Sequence, residues 1–445
     1  MASNAQAVVR ERVLETARRA KRASRMLAGL PVAGRRAILE RFADLLDERR
    51  SDVVAANVDD VARANPLVTA GEMTHAMLDR LILSDAKLDA VIAGVRQVAG
   101  LDDPLGRVTL ATELDAGLTL ARVTCPIGVI GVIFESRPDA LVQIASLAVM
   151  SGNGALLKGG SEAEATNRAL FEVLCLALDA GGHPSEAFAL LGGRDEVAAL
   201  LEADGLVDLI VPRGSNAFVR HIQQHTTIPV LGHAAGVCHI YVDESADLGM
   251  ARSVALDAKV TYPAACNAVE TILVHQAVAE RIIPDLVSDF ARSGVEVRGD
   301  ERTAAIAGSS FVVPTTAGDW GAEYSALVVA VRVVDTIDDA IEHIATYGSG
   351  HTDAIITEAP AAFARFFRDV DSAGVYWNAS TRFADGFRYG FGAEVGIATG
   401  KLHARGPVGL DGLVTYKYRL AGAGHVVADY TGPDARPFTH NRLEE

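Results

Sequence analysis

The chain has 445 residues, 49% of them hydrophobic, and a formal net charge of −16. That length carries two or three domains with cores of their own, and the acidity excludes nucleic acid as the main partner, because a duplex is held by a concentrated basic surface. The longest apolar runs, such as CPIGVIGVIF at 125–134, fall short of the roughly 20 residues that a membrane span needs. Four scattered cysteines without a CxxC pair signal neither a disulfide framework nor a zinc cluster, and a reducing compartment, the cytoplasm, fits them best.

The first 27 residues are basic but lack the apolar core of a secretory signal, and Glu11 and Glu15 interrupt the acid-poor pattern of a transit peptide. They read as the first helix of the fold. Residues 1 to about 100 continue as amphipathic helices, with Ile38, Leu39, Phe42, Leu45 and Leu46 on one face. RVTLATELDAGLTLARVTC then alternates as a hairpin around Asp115, Ala116 and Gly117. From 126 to 236 apolar strands alternate with helices (139–150, 161–180, 194–203 and 214–225), and IPVLG at 228–232 reads as a last strand. This is a doubly wound, mostly parallel α/β sheet. A second α/β unit spans 237–376, and a glycine-rich stretch leads to a strand, GLVTYKYRL, and a loose polar tail.

Chemistry concentrates at strand ends. No GxGxxG or GxxxxGK[ST] opens a helix, so the usual dinucleotide fingerprint is not signalled. In ALLKGGSEA, Lys158 leaves a strand and two glycines lead to Ser161, a helix cap; in IVPRGSNAF, Arg213, Gly214 and Ser215 repeat the arrangement. Each alone is equally a plain turn, but two at C-terminal strand ends of one sheet favour a nucleotide. HIQQH at 221–225 lacks the glutamate of a zinc protease and reads as a solvated helix face, so no metal is expected. Arg137, after an apolar strand in FESRPDA, is either a surface ion pair or an anion clamp. Cys266, in VTYPAACNAVETILV, follows Pro263 in the connection between a helix and a strand, where composition leaves a buried thiol and a nucleophile equally open.

The segments PIGVIGVIFESRPDA, LLKGGSEA, VPRGSNAF, GVCHIYVDESADL, YPAACNAVETILV, TYGSGHTDAIIT and NASTRFADGFRYGFGAEVGI occur in that order along the chain. On them the sequence resembles, end to end, the aldehyde dehydrogenase superfamily, and within it the γ-glutamyl phosphate reductases of proline biosynthesis. The resemblance implies an aldehyde dehydrogenase-like α/β fold of two doubly wound domains plus a β-strand oligomerisation arm. The cofactor domain would comprise 1–105, 126–236 and 377–402, the catalytic domain 237–376, and the arm and tail 106–125 and 403–445.

The same resemblance makes Cys266 the nucleophile that forms a thioester with L-glutamyl 5-phosphate, which NADPH reduces to L-glutamate 5-semialdehyde. It implies that Arg137 and backbone N–H groups near Cys266 stabilise the oxyanion and the departing phosphate, and that this surrounding lowers the thiol's pKa. Lys158, Ser161, Arg213, Gly214 and Ser215 fall to the cofactor, with Glu323 on the nicotinamide ribose. Ser161 stands where NAD-preferring relatives carry a glutamate, which favours NADPH, although Glu162 lies next to it. Asn378, Ser380 and Arg382 fall to the substrate's amino and carboxylate groups. Hydrolytic relatives carry a base in a Glu-Leu-Gly-Gly motif; the matching stretch here, LGHAAG at 231–236, contains no carboxylate. A homo-oligomer and a transient contact with glutamate 5-kinase are further expectations. An aldehyde-oxidising dehydrogenase, a cysteine hydrolase and a catalytically silent scaffold remain as alternatives.

Overall fold

The computed structural model describes residues 2–135, 137–232 and 235–443; Ser136 of FESRPDA and His233 and Ala234 of LGHAAG lie outside them. Five helices open the chain: α1 (Ala2–Ala28), α2 (Val32–Glu48), α3 (Arg50–Thr69), α4 (His75–Leu81) and α5 (Asp85–Gly100). The face foreseen on α2 is the buried one. It packs with Leu88, Val91, Ile92, Val95 and Val98 of α5, whose start is fixed by Ser84 accepting the Lys87 N–H. Each such large apolar side chain contributes about 1.5–3 kcal/mol on burial. On α1, Val13, Leu14, Ala17 and Ala20 are buried against the neighbouring sheet, so the basic N-terminal segment is structural.

Strands β1 (Val108–Asp115) and β2 (Leu118–Pro126) form the foreseen hairpin, and Gly117 takes the left-handed φ of +77° that its turn needs. The first parallel sheet follows as β3 (Val129–Phe134), β4 (Gly154–Lys158), β5 (Phe188–Leu190) and β6 (Leu209–Arg213), in the spatial order β5-β4-β3-β6. Its crossovers contain α6 (Pro138–Met150), α7 (Glu164–Ala180) and α8 (Arg194–Leu201), and α9 (Asn216–Gln224) leaves β6. Every residue of β3 is buried, as expected of a strand covered on both faces. IPVLG is not a strand of this sheet: only an isolated bridge joins Val230 to Ile210.

The second sheet is seven-stranded and parallel, ordered β10-β9-β11-β8-β7-β12-β13. Its members are β7 (Cys238–Val242), β8 (Val269–His275), β9 (Glu296–Gly299), β10 (Val313–Pro314), β11 (Val328–Val334), β12 (Thr352–Ile356) and β13 (Gly374–Trp377). Helix α10 (Leu248–Val260) precedes β8.

A small pair, β14 (Ile397–Ala398) and β15 (Gly406–Pro407), precedes β16 (Val414–Ala421) and β17 (Asn441–Arg442). The arm sheet is ordered β16-β2-β1-β17. The polar tail is therefore not loose. It returns to pair Asn441 with Glu113 and Arg442 with Thr112.

Candidate active site

Helix α10 ends at Val260 and successive turns carry the chain into β8. The Ala265 N–H donates to Tyr262 O and the Ala268 N–H to Ala265 O, which lifts Cys266 out of regular structure. Among the described residues the N–H groups of Cys266 and Asn267 have no acceptor. The next residue anchors the loop: Asn267 Nδ2 donates to Ala384 O at 2.8 Å, and Thr381 Oγ1 donates to Asn267 O at 2.7 Å. Behind the cysteine, the Cys238 thiol donates to Cys266 O at 3.4 Å. Gly236 passes so close that a Cβ there would lie 2.6 Å from Cys266 Cα. All four cysteines are free thiols, and Cys266 is half-buried.

The thiol's pKa is pushed up to about 12, first by burial and then by the carboxylates of Glu394 and Glu323, against the pull of Arg213 and Arg382. This corrects the expectation of a lowered pKa. The neutral thiol is the favoured form of Cys266, because desolvation and two carboxylates outweigh two guanidinium groups.

A cavity of about 880 Å³ adjoins this site. Arg137, Asp139, Arg213, Tyr262, Asp385 and Glu394 supply its polar wall, while Val91, Val95 and Val98 of α5 supply much of its apolar side. Arg137, at the N-terminus of α6, donates to Asp139 Oδ2 at 3.1 Å. Glu394 accepts the Gly386 N–H at 2.8 Å, and its pKa is raised by burial against the opposing effect of Arg213. Tyr262 lies between two cations: Arg80 Nε donates to its hydroxyl at 3.1 Å, and Arg382 Cζ stands 5.8 Å from its ring centroid. Arg382 is buried with its Nε unpartnered.

The other two residues expected at the substrate are placed differently. Asn378 uses both ends of its amide on the main chain of Thr357. Ser380 is buried and accepts the Arg382 N–H, holding the short turn that aims Arg382.

At the ends of β3, β4 and β6 lies a second polar cluster. Lys158 makes no hydrogen bond or ion pair with any described residue, and Ser161 is exposed. The turn between them needs glycine: a Cβ on Gly159 would lie 2.9 Å from Asn167 Cγ and 3.1 Å from Phe134 Cε2. Asn167 is buried with its Oδ1 unpartnered. A Cβ on Gly214 would lie 2.8 Å from Glu135 Cδ. Ser215 caps α9 by accepting the Phe218 N–H. An ammonium without a hydrogen-bond partner among the described residues and a close glycine backbone fit the phosphate of a cofactor, while Asn167 Oδ1, an acceptor, fits a hydroxyl or N–H donor of it. Glu135 opposes added negative charge, its pKa raised by burial and then by Glu162. Glu323, half-buried, accepts from Asn216 across the cleft between the two sheets.

Arg213 leaves β6 beside this cluster, but its guanidinium reaches the cavity of Arg137 and Glu394. The rings of His221 and His225 lie 4.0 Å apart, tilted by 33°, with His225 Nδ1 on His221 O. The sequence did not single out Glu394, Gly236, Asn216 or Tyr262. Of these only Glu394 carried a signal, as the one charged side chain in GFGAEVGI.

Three comparisons bear on this arrangement. A family model described as the aldehyde dehydrogenase family matches residues 2–308. The γ-glutamyl phosphate reductase of Natronomonas pharaonis is 55% identical, over 91% of this chain and 92% of that protein. That of Pelotomaculum thermopropionicum is 52% identical, over 97% and 98%. The crystal structure of γ-glutamyl phosphate reductase from Thermotoga maritima superposes with a TM-score of 0.89 at 40% identity, covering 93% of this chain and 99% of that one. At 17% identity, a glyceraldehyde-3-phosphate dehydrogenase from Methanocaldococcus jannaschii, solved with NADP, shares the fold alone, with a TM-score of 0.67 and coverage of 93% and 95%.

Proposed function

The chain belongs to the aldehyde dehydrogenase family, in its γ-glutamyl phosphate reductase branch, and from that premise we propose that it reduces L-glutamyl 5-phosphate to L-glutamate 5-semialdehyde and phosphate through a thioester on Cys266. The observation that carries this reading is the half-buried Cys266 thiol in a turn pinned through Asn267 to Ala384 and Thr381, next to a cavity that Arg137, Arg213 and Glu394 line.

Cys266 Sγ attacks the acyl carbon, and the thiol proton ends on the departing phosphate. We assign its transfer to Glu394, a carboxylate of the cavity wall whose raised pKa suits it to holding a proton. The thiol gives up its proton as it attacks, to Glu394, and phosphate as a good leaving group needs little help to depart. The N–H groups of Cys266 and Asn267, without acceptors among the described residues, are the donors for the charge on the carbonyl oxygen. One such donor contributes about 3–4 kcal/mol to the transition state. NADPH, when bound, supplies the hydride that takes the thioester to the aldehyde. Lys158, Gly159, Gly160, Ser161 and Ser215 are the residues to hold it, with Glu323 on its ribose. No carboxylate stands in 231–236, where hydrolytic relatives carry the base that activates water. Arg382 and the acids of the cavity wall complement the carboxylate and ammonium of the glutamyl group.

The Glu135–Glu162 pair favours a second cofactor reading, NADH, since carboxylates accept ribose hydroxyls and repel a 2′-phosphate. A homo-oligomer, a cytoplasmic site of action and a transient contact with glutamate 5-kinase complete the proposal. The kinase contact is argued from the tendency of the acyl phosphate to cyclise.

The test runs the reaction backwards. Reduction of NADP by glutamate 5-semialdehyde should require inorganic phosphate and should be slower with NAD. Phosphate-independent turnover would mark an aldehyde-oxidising dehydrogenase instead, and no nicotinamide turnover would return the protein to a hydrolase or scaffold.

A further inference from the structure

We propose that Arg213 is the seat of the phosphate that leaves the acyl group, and not a contact of the cofactor. The inference rests on the reaction proposed above. Three observations carry it.

The first is direction. Arg213 ends β6, yet its side chain lines the cavity beside Arg137 and Glu394, while the next two residues serve other ends. Gly214 passes Glu135, and Ser215 caps α9. The anion site expected from the run Arg-Gly-Ser thus divides, its cation going one way and its helix N-terminus the other.

The second is that the guanidinium is unpartnered. Arg213 Nη1 is buried without an acceptor, and among the described residues no hydrogen bond or ion pair reaches the side chain. Arg137 has Asp139; among the described residues Arg213 has no such hydrogen-bonded carboxylate. Its pKa is lowered by burial and then by the Arg137 guanidinium, with Glu394 and Asp139 opposing. Two neighbouring cations, one with its fork unused, cost the folded protein free energy that an arriving anion recovers.

The third is position. Arg213 lines the same cavity as Tyr262, which lies in the turn that carries Cys266, and Cys266 and Arg213 act on each other electrostatically. Arg382 is also without a hydrogen-bond partner at Nε but stands 5.8 Å from the Tyr262 ring centroid, whereas Arg213 has no aromatic or hydrogen-bonded carboxylate partner among the described residues and lines the cavity itself. As the Sγ–C5 bond forms, the C5–O bond breaks, and its electron pair and the thiol proton leave on the phosphate. Charge therefore grows on oxygens that a guanidinium fork matches two at a time. In reverse, the same fork holds phosphate for attack on the thioester.

Arg213→Lys and Arg213→Gln are compared with the parent protein in phosphate-dependent oxidation of glutamate 5-semialdehyde. The KM for phosphate should rise at least ten-fold in the lysine variant and further in the glutamine variant. The Kd for NADP, measured by calorimetry, should stay within two-fold. A second readout needs no cofactor: inorganic phosphate should slow alkylation of Cys266 by iodoacetamide in the parent, and ten-fold more phosphate should be needed in Arg213→Lys. Circular dichroism identifies a variant that has not folded, and Arg213→Lys alone then decides. An unchanged phosphate KM with a raised Kd for NADP would return Arg213 to the cofactor. Loss of phosphate dependence in the parent itself would instead overturn the reaction assigned to the protein.

Discussion

Asn216 Nδ2 donates to Glu323 Oε2 at 2.9 Å, so the first residue of α9 holds the carboxylate that the nicotinamide ribose is proposed to meet. A bond to a charged group is worth about 1.5–3 kcal/mol, enough to fix one rotamer of Glu323 before the cofactor arrives. Asn216→Ala should weaken NADPH binding by about ten-fold, and Asn216→Asp, which sets like charges together, by more. Equilibrium binding measures both. An aspartate variant that binds NADPH as tightly as the parent would contradict this role.

Gly236 is required by close approach. A Cβ there would lie 2.6 Å from Cys266 Cα and 2.7 Å from its carbonyl carbon, and the obstruction is backbone, which cannot swing aside. Gly236→Ala should displace the cysteine loop and lower kcat at least 100-fold, with NADPH binding kept. Near-parental kcat would show that the loop position is not critical.

Much of this was legible in the sequence. The α2 face, the hairpin around Gly117 and the alternation of strand and helix were read directly, because periodicity and turn chemistry are local. The position of Cys266 between α10 and β8 was equally plain from Pro263 and the apolar strand after it. The direction of Arg213 was not, since spacing places a residue at a strand end without saying which cleft a long side chain enters. Glu394 owes its place to the Gly386 N–H, in a glycine-rich stretch with no period to read. Tyr262 and Arg80 are 182 residues apart, and β17 has only two residues, too few for a pattern. The raised thiol pKa depends on burial and on carboxylates that only the folded chain brings near.

That raised pKa has a measurable sign. An ordinary thiol titrates near pH 8.5, whereas the neutral form of Cys266 is favoured up to about pH 12. The thiolate fraction, and with it the iodoacetamide alkylation rate of Cys266, should climb about ten-fold per pH unit from 7 to 10 without levelling. Glu394→Gln removes one opposing carboxylate and should speed alkylation at pH 8. A plateau near pH 8 to 9 in the parent would contradict the burial argument.

The arm offers a surface for a second copy of the chain. β16 is an edge strand, exposed at every residue after Val414, and Tyr416, Tyr418 and Leu420 alternate onto one face. Exposed edges of this kind pair with other chains. Tyr418→Glu with Leu420→Asp should lower the mass seen by light scattering to that of smaller assemblies. An unchanged mass would place the interface elsewhere.

The covalent step is the centre of the account, and intact-protein mass spectrometry tests it most directly. The protein, mixed with glutamate, ATP and a glutamate kinase but no nicotinamide cofactor, is quenched in acid. A glutamyl adduct without phosphorus should form on Cys266 and vanish on addition of NADPH, and Cys266→Ala should form none. No adduct in the parent, or one that retains phosphorus or survives in Cys266→Ala, would contradict a Cys266 thioester.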